Sequence, residues 1–326
     1  MIDLKHFRAF LCVAETGSLS RASDLLRRSQ PSLSQLIRET ENTLGTRLFN
    51  RTGRGMALTA DGEAFARAIR SPLAALDRAV HATRRGRALS GFVAIGVPPS
   101  LGPWLSMALT AAAARCHPGL SIRIIEGYPG HMIDWLQKGE LDLALIYGPA
   151  EHLHLKLTSL FVEPLVLIAD AATGLSPDEP VPFKELARLP LVLPSRPYGI
   201  RSIIDRAAAE RGIQPALHLE SESGSAIRSM VANGMGYSAQ PLSAIQTELA
   251  QGRLTWAPLT DPGIEREIVL AEPSDRPATE AIRSVAVLVA AAVSELEAKG
   301  DMDIRQSKAC RRLATASDDG MRTLAI

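Results

Sequence analysis

The sequence predicts an α/β protein made of a helical N-terminal head and a larger body of alternating strands and helices. Helical spacing of apolar residues dominates up to about residue 86, and short strand-like runs begin at residue 92. The charge changes at the same place. Residues 1–90 carry 15 Lys+Arg and 8 Asp+Glu, a net charge of +7, whereas residues 91–326 carry 21 and 27, a net charge of −6. A basic head on an acidic body indicates that the head meets a polyanion and that the body has another task.

The head begins with a pattern of short helices. Apolar spacing predicts helices over 3–15 and 18–27, with a glycine-serine turn between them. A third helix is expected to start at residues 29–31, SQP, because proline is well tolerated in a first helical turn. In this helix we expect Leu33, Leu36, Ile37 and Leu44 to point inward, and Gln30, Ser32, Ser34, Gln35 and Arg38 to face outward.

Two helices joined by a short turn, the second with small polar residues on its exposed face, match a helix-turn-helix. The residue types suit base reading. Glutamine pairs with adenine through two hydrogen bonds, serine reaches bases or phosphates, and arginine reads guanine or holds phosphate. A solvated polar face on an ordinary helix is the alternative interpretation, and the helix alone leaves both open.

The next segment favours the first interpretation. An apolar pair at 48–49 is expected to anchor it, and residues 50–55, NRTGRG, form a basic tip before a predicted return strand at 56–59. Glycine lets a backbone approach phosphate closely, and arginine enters or clamps a minor groove. A merely solvated loop would more often mix its charges. We therefore predict a DNA-contacting wing that carries Arg51 and Arg54.

Residues 60–86 predict one long helix, with a kink or bend at Pro72. Its apolar stripe lacks an obvious partner within the head, so we expect the helix to pair with a second copy of itself. The basic segment 84–87, RRGR, is then expected to form a polar hinge.

The body predicts doubly wound parallel sheets, because strands and helices alternate along it. Strands are expected at 92–97, 121–125, 141–147, 160–169, 191–193, 217–219, 236–239 and 266–271, and helices at about 101–116, 130–138, 183–189, 199–212, 224–233, 242–251 and 278–299. The tail, residues 300–326, is polar, aromatic-free and weakly patterned, so we expect it to be disordered.

Several chemistries are disfavoured. Cys12, Cys116 and Cys310 are odd in number and far apart, which predicts neither a disulfide framework nor a metal site. His152 and His154 lack further ligands at metal spacing, and neither a nucleophile elbow nor a phosphate-cradle pattern occurs. We therefore expect no cofactor, no metal and no catalytic residue. The lack of a bilayer-length apolar run or a signal peptide predicts a cytoplasmic protein without membrane attachment.

The segment FRAFLCVAETGSLSRASDLLRRSQPSLSQLIRETENTLGTRLFNRTGRGMALTADGEAF resembles the LysR-type transcriptional regulators, and the resemblance covers about residues 1–297. It implies a winged helix-turn-helix at 1–59, a linking and dimerising helix at 60–87, and a two-lobed sensor, similar to periplasmic binding proteins, at 91–299. Lobe I would hold about 91–160 and 266–299, and lobe II about 161–265. The resemblance also implies homodimers or homotetramers that bind promoter DNA, sense a small-molecule effector and contact RNA polymerase.

The resemblance places recognition-helix contacts at Gln30, Pro31, Ser34 and Gln35 and wing contacts at Arg51 and Arg54. The full set of predicted DNA-binding residues is Ser18, Gln30, Pro31, Ser32, Ser34, Gln35, Arg38, Arg51 and Arg54. Two positions depart from the family pattern: Gln35 stands where arginine is common, and Thr40 stands where leucine usually packs. Body segments such as EGYPGHMIDWLQKGELDLALIYGP look most like the branch that includes nitrogen-assimilation regulators.

A doubly wound lobe binds ligands at the carboxyl ends of its strands. We expect Ser100 to cap the helix that starts at Leu101, and Arg196 and Arg201 to supply positive charge, which favours a small anionic metabolite. The predicted effector-binding residues are Pro99, Ser100, Leu101, Tyr128, Gly130, His131, Tyr147, Pro149, Ser195, Arg196, Tyr198 and Arg201. The alternative is that they are ordinary loop residues that cap helices.

Three functions compete: a ligand-responsive DNA-binding regulator, a small-molecule binding protein whose head only dimerises, and an α/β enzyme with a helical appendage. Dimerisation alone does not need the wing arginines, and catalytic spacing is missing, so the regulator is the favoured hypothesis.

Overall fold

The computed structural model describes residues 2–52, 55–82, 89–148, 154–196, 199–300 and 303–322. The chain divides into two compact units, the head with residues 1–87 and the body with nearly all of the remaining chain. None of the described helices is both long and apolar enough to cross a membrane.

The head contains α1 (Leu4–Thr16), α2 (Leu19–Leu26), α3 (Gln30–Leu44), β1 (Phe49–Thr52), β2 (Gly55–Leu58) and α4 (Ala60–Ala82). The first three helices begin where a short polar side chain accepts a hydrogen bond from the first turn, at Asp3, Ser18 and Ser29. Gly17 and Gly45, both left-handed, end α1 and α3. These local signals place the helices within a few residues of their predicted bounds.

The head core lies where α1 and α3 meet the base of the β1–β2 hairpin. Phe10 is fully buried, and its ring centre lies 5.2 Å from that of Phe49 and 5.0 Å from that of Phe65. Leu33, Leu36 and Ile37 are buried as predicted, whereas Leu44 is 41% exposed because it lies in the last turn of α3, just before Gly45. Thr40 is buried, and its hydroxyl donates to the Leu36 carbonyl, which satisfies the polar group inside the core.

The body begins with β3 (Ser90–Val97), α5 (Gly102–Cys116), β4 (Gly119–Glu126), α6 (Pro129–Gln137), β5 (Leu143–Gly148) and β6 (Leu155–Asp170). It continues with β7 (Val181–Pro182), β8 (Leu191–Leu193), α7 (Ile200–Ala209), β9 (Leu217–Glu220), α8 (Gly224–Ala232), β10 (Ser238–Pro241), α9 (Leu242–Ala250), β11 (Leu254–Thr260), β12 (Ile264–Pro273) and α10 (Glu280–Lys299). Short 3₁₀ helices occupy Ala171–Thr173 and Phe183–Ala187. β7 and β11 are not among the strands that the sequence predicts.

The main sheet runs in the order β4-β3-β5-β12-β6-β11-β7. Strands β3, β4 and β5 are parallel, as expected, but β12 is antiparallel to both β5 and β6. The sheet is therefore mixed rather than purely parallel. Alternation of strands and helices could not predict this, because β12 joins the sheet late in the chain and its direction depends on a long-range return.

Two lobes share the long strands β6 and β12. On β6, Phe161 packs in the core beneath α5 and α10, whereas Leu165 packs in the core beside α7. On β12, Ile268 belongs to the first core and Ile264 to the second. The chain thus passes between lobes near residues 162–164 and 265–267.

The tail prediction was wrong for residues 303–322, which form β13 (Arg305–Gln306) and α11 (Lys308–Arg322). The β13 strand pairs with β6 at Phe161 and Val162, and Cys310 is fully buried against the lobe I core. Gln306 accounts for much of this attachment, since its backbone N–H donates to Glu297 and its side chain to Ser294. The β6 residues that pair with β13 lie more than a hundred residues earlier in the chain, so the polar composition of the tail gave no sign of this pairing.

Candidate nucleic-acid interface and effector cleft

The predicted recognition residues lie on one outward face of the head. Gln30, Pro31, Gln35 and Arg38 are exposed on α3, and Ser32 and Ser34 are half-buried beside them. Ser18 is also half-buried, and its hydroxyl caps α2 by accepting from the Arg21 N–H. The structure therefore brings these polar side chains together around α3, with the apolar side of the helix in the head core.

The predicted wing is a hairpin, with β1 and β2 antiparallel and Thr52 opposite Gly55. The backbone of Arg51 lies on β1, opposite Met56, whereas Arg54 lies outside the described residues. Gly55 has a packing role that differs from the predicted approach to phosphate: at φ +132°, an added Cβ would lie 2.3 Å from the Gly17 carbonyl oxygen. The hairpin is thereby held against the turn between α1 and α2.

Sequence reasoning missed three contributors to this interface. Arg27 and Arg28 are exposed in the turn that leads into α3, and Arg27 adopts a left-handed backbone, φ 50°, as the C-cap of α2. The sequence did contain a signal for these two arginines, because a basic pair directly precedes the start of the predicted recognition helix. Glu41 anchors the base of the wing, because its Oε1 accepts from the Leu48 N–H at 2.8 Å and the Phe49 N–H at 3.2 Å.

The junction of the two lobes is built around Arg266, a residue that sequence reasoning did not predict. Its guanidinium is fully buried and donates through Nε to Glu163 Oε1 at 2.7 Å. Nη1 donates to the hydroxyls of Ser100 and Tyr147, each at 3.0 Å, and Nη2 donates to Ser243 at 3.2 Å. The predicted residues Ser100 and Tyr147 thus meet through an arginine that β12 supplies from far along the chain.

Electrostatics keep this junction charged. Burial opposes ionisation of Arg266, but Glu163 and Tyr147 outweigh it, so the pKa of Arg266 is raised above its ordinary value. The carboxylate of Glu163 is also fully buried, and its Oε2 has no hydrogen-bond partner within the described part of the chain. The ion pair between Arg266 and Glu163 is therefore made through only one carboxylate oxygen, Oε1.

The predicted cap of α5 is wrong in detail. Ser100 accepts from Arg266, and the N-cap of α5 is the buried residue Leu101, which makes no side-chain capping bond. The N–H groups of Leu101 and Gly102 both donate to the Pro98 carbonyl. These two donors are consequently engaged inside the turn rather than offered to a ligand. Pro99, beside them, is half-buried in the same turn.

A second link joins the lobes at an exposed position. The hydroxyl of Tyr128, which follows β4, donates to the Glu222 carbonyl, which precedes α8. Partial burial raises the pKa of Tyr128, so this hydroxyl stays protonated and remains a donor. Gly130 lies half-buried in the first turn of α6, and the exposed His131 stacks on Trp135 with ring centres 5.9 Å apart.

The predicted cationic residues of lobe II are already paired. Arg201 is buried and donates to Asp205 at 2.9 Å and to Glu220 at 2.6 Å, and Arg196 donates to Asp205 at 2.7 Å. Burial tends to raise the pKa of Asp205, but hydrogen bonds from both arginines lower it below its ordinary value. Arg201 therefore closes an ion-pair network rather than supplying free charge. Ser195 is half-buried beside it, and Pro149 and Tyr198 lie outside the described residues.

The described residues include no group of three or more His, Cys, Asp or Glu side chains placed to hold a metal ion. Of the predicted histidine pair, His154 is exposed and His152 lies outside the described residues.

Family models match both units of the chain. The model described as "Bacterial regulatory helix-turn-helix protein, lysR family" matches residues 4–63, and the model described as "LysR substrate binding domain" matches residues 86–294. The chain belongs to the LysR family of transcriptional regulators. Among curated relatives, this LysR-type regulator is 28% identical over 302 residues to the HTH-type transcriptional regulator BbuR of Bordetella bronchiseptica, which covers 92% of each chain.

A second relative is a probable hydrogen peroxide-inducible genes activator of Streptomyces viridosporus, 30% identical over 82% of this chain and 87% of its own. Among solved structures, full-length OxyR from Pseudomonas aeruginosa has a TM-score of 0.69 and 25% identity, with 90% of this chain and 95% of that chain covered. CbnR complexed with its target DNA has a TM-score of 0.66 at 19% identity, covers 90% of this chain and 99% of its own, and supports the fold alone.

Proposed function

We propose that this LysR-type regulator binds promoter DNA through α3 and the wing, and that a small anionic metabolite binding in the lobe cleft controls it. The regulator would act in the cytoplasm as a homodimer or homotetramer that contacts RNA polymerase. Paired α4 helices would join the heads, and Leu76, which is 46% exposed on α4, is suited to such a contact. The nitrogen-assimilation branch stays a prediction.

The observation that carries the DNA-binding proposal is the division of the α3 surface. Its apolar residues fill the head core, while glutamine, serine and arginine side chains share the open face. These side chains can read base edges and hold phosphates. The basic charge of the head adds the sequence-independent attraction to DNA.

The observation that carries the effector proposal is the way Arg266 holds two hydroxyls. Ser100 and Tyr147 each accept an N–H of the same Nη1. A hydroxyl that accepts from a cation turns its own hydrogen away from that cation. Two polarised O–H donors are therefore directed away from Arg266, and a carboxylate is a suitable acceptor for both. These two hydroxyls take over the anion-binding role predicted for Arg196 and Arg201, which are already paired with carboxylates.

The regulatory mechanism follows from the shared strands. An effector that binds one lobe arrangement better than another shifts the equilibrium between them, by no more than its difference in affinity. Because β6 and β12 pass through both lobes at the Arg266 junction, a change there alters the angle between lobes. We propose that this change resets the spacing of the paired heads and so DNA bending and polymerase contact.

The DNA-binding proposal is tested by selecting duplexes from a random library with the intact protein. We expect enrichment of two related half-sites whose centres are one helical turn, or a multiple of it, apart. Arg38→Ala should weaken recovery, whereas Arg253→Ala, which removes an exposed arginine from the body, should not. A library without enrichment, or equal loss in both variants, contradicts the proposal.

The effector proposal is tested by thermal shift of the intact protein with small carboxylates and their uncharged amides. A true effector raises the unfolding temperature by mass action. We expect selected carboxylates to act and amides not to act, with Ser100→Ala and Tyr147→Phe weakening the effect about tenfold. Ser121→Ala and Tyr237→Phe are the matched controls. Equal shifts with amides would contradict an anionic effector.

Thiol-based sensing through Cys12 or Cys310 is disfavoured as a second function, although one relative is described as a probable hydrogen peroxide-inducible genes activator. Reactive thiols have lowered pKa values and are accessible. Burial raises the pKa of Cys12 and that of Cys310, and Cys310 is fully buried.

A further inference from the structure

A carboxylate beside the recognition residues has no assigned role. Glu39 lies one turn after Gln35 on α3, and its side chain is 48% exposed. We infer that Glu39 is a positioning residue that orients the Gln35 amide and so sharpens the choice of one base in the DNA site. This inference rests on the proposed contact of Gln35 with a base.

Both oxygens of the Glu39 carboxylate are engaged. Gln35 Nε2 donates to Glu39 Oε1 at 2.9 Å. His6 Nε2 lies 3.0 Å from Glu39 Oε2 and, because a carboxylate only accepts, His6 is the donor. One oxygen therefore faces a residue of α3 and the other faces α1, which fixes the plane of the carboxylate between two helices.

The histidine that holds Glu39 is itself fixed. His6 is only 3% exposed, and its Nδ1 lies 2.7 Å from Asp3 Oδ1 and 3.1 Å from the Asp3 backbone nitrogen. These contacts join the imidazole to the N-cap of α1. Glu39 is thus attached to a rigid part of the head core, although its own side chain reaches the surface.

Glu39 remains an acceptor under ordinary conditions. Hydrogen bonds from His6 and Gln35 lower the pKa of Glu39 below its ordinary value, against a smaller opposing effect of burial. An ionised carboxylate has no hydrogen to donate, so the atom of Gln35 that faces it must be the amide nitrogen.

The fixed orientation matters for base reading. Without a fixed partner, the amide group of a glutamine can rotate by about 180° and so exchange the positions of its N–H donors and its acceptor oxygen. With Nε2 held by Glu39, the Gln35 amide keeps one N–H and its Oε1 for other partners. This is the donor and acceptor pair that recognises adenine in the major groove. The geometry therefore favours adenine at this contact before DNA arrives.

Glu39 should also have an opposite effect on general affinity. A negative charge on a helix that faces DNA repels the phosphates, whatever the sequence. Loss of this carboxylate should therefore raise affinity for random duplex while it lowers discrimination at one base pair. Loss of a residue with a merely structural role would lower both the affinity for random duplex and the discrimination at that base pair.

The test compares base preferences of intact wild-type protein, Gln35→Ala, Glu39→Ala and Glu39→Gln, by library selection followed by competition binding at each position. Gln35→Ala identifies the base pair that Gln35 reads. Glu39→Ala should reduce preference at that same pair about tenfold and leave other positions unchanged. Glu39→Gln, which keeps an acceptor oxygen for Gln35, should restore part of the preference. Glu15→Gln, on the exposed surface of α1, is the charge control and should change no base preference.

The outcomes separate two failures. If Gln35→Ala changes preference at one pair and Glu39→Ala does not, the positioning role is overturned while base reading by Gln35 stands. If Gln35→Ala changes no preference, the proposed base contact fails and the positioning role fails with it. Equal losses at all positions for Glu39→Ala would assign Glu39 a structural role and also overturn the inference.

Discussion

The head and the body use their arginines differently. On the head, Arg27, Arg28 and Arg38 lie exposed around α3. In the body, Arg201 and Arg266 are buried and donate to carboxylates within the fold. The first group is placed to meet an external anion, and the second holds elements of the body together. The head, with a net charge of +7, thus presents exposed arginines, whereas the body, with a net charge of −6, uses buried arginines within its fold.

This difference predicts that removing a buried arginine of the body should lower stability, whereas removing an exposed arginine, as on the head, should leave stability nearly unchanged. A buried charge that loses its partner is costly, because the remaining ion stays out of water. An exposed charge that loses its partner is resolvated at little cost.

The largest effect is expected for Arg266→Ala. It leaves Glu163 buried without its partner, and we expect the body to lose about 3–5 kcal/mol of unfolding free energy. Urea unfolding followed by circular dichroism measures the loss. Arg196→Ala removes an arginine whose side chain is 67% exposed and which also pairs with a carboxylate. We expect Arg196→Ala to lose less than about 1 kcal/mol of unfolding free energy. A larger loss in Arg196→Ala, or a loss below about 1 kcal/mol in Arg266→Ala, would contradict the distinction between exposed and buried arginines.

Removal of residues 303–326 should have the next largest effect. It exposes the lobe I surface that covers Ile304 and Cys310, and it leaves the edge of β6 unpaired. We expect a loss of about 2 kcal/mol, the value for burying one large aliphatic side chain. Thermal unfolding of the truncated protein measures it, with Thr315→Ala on the exposed side of α11 as control. Unchanged stability would show that the tail does not support the body.

A smaller effect is expected at acid pH in the head. The pKa of Asp3 is lowered from 3.8 to about 2, because the opposing effect of burial is outweighed by the contacts of the Asp3 carboxylate with His6 and Lys5. Because the folded value lies below the unfolded value, this contribution is present above about pH 4 and is lost as the pH falls towards 2. Asp3→Asn should flatten the pH dependence of head unfolding over this range. An unchanged slope in that variant would contradict the assignment.

The smallest effect is expected for the exposed face of α3. Ser34→Ala and Arg38→Ala should each change unfolding free energy by less than about 0.5 kcal/mol, because the side chains point away from the head core. The same urea unfolding experiment measures this. A larger loss of unfolding free energy in either variant would show that this face of α3 supports the fold of the head.

Local signals made the head predictable. The caps at Ser18 and Ser29, the glycine ends of the helices and the apolar spacing of α3 all lie within a few residues of the structures they specify. They predicted which side chains face outward, apart from Leu44 in the last turn of α3.

The body site was less predictable because it depends on distant partners. The strand ends predicted Ser100 and Tyr147, which the structure brings together, but their shared partner Arg266 comes from a strand 166 residues after Ser100. Nothing local in the sequence distinguishes Arg266, which is buried, from Arg196, which is exposed. The ordered tail escaped prediction for the same reason, since β13 pairs with a strand more than a hundred residues earlier.

The most direct test of the central claim is the salt dependence of duplex binding by the intact protein. If the head holds phosphates, the logarithm of affinity should fall linearly with the logarithm of salt concentration. Arg38→Ala should make that slope shallower by up to about one unit, and Arg253→Ala should leave it unchanged. An affinity that does not depend on salt, or a slope that responds to Arg253 and not to Arg38, would contradict the assignment of α3 as the DNA-binding face.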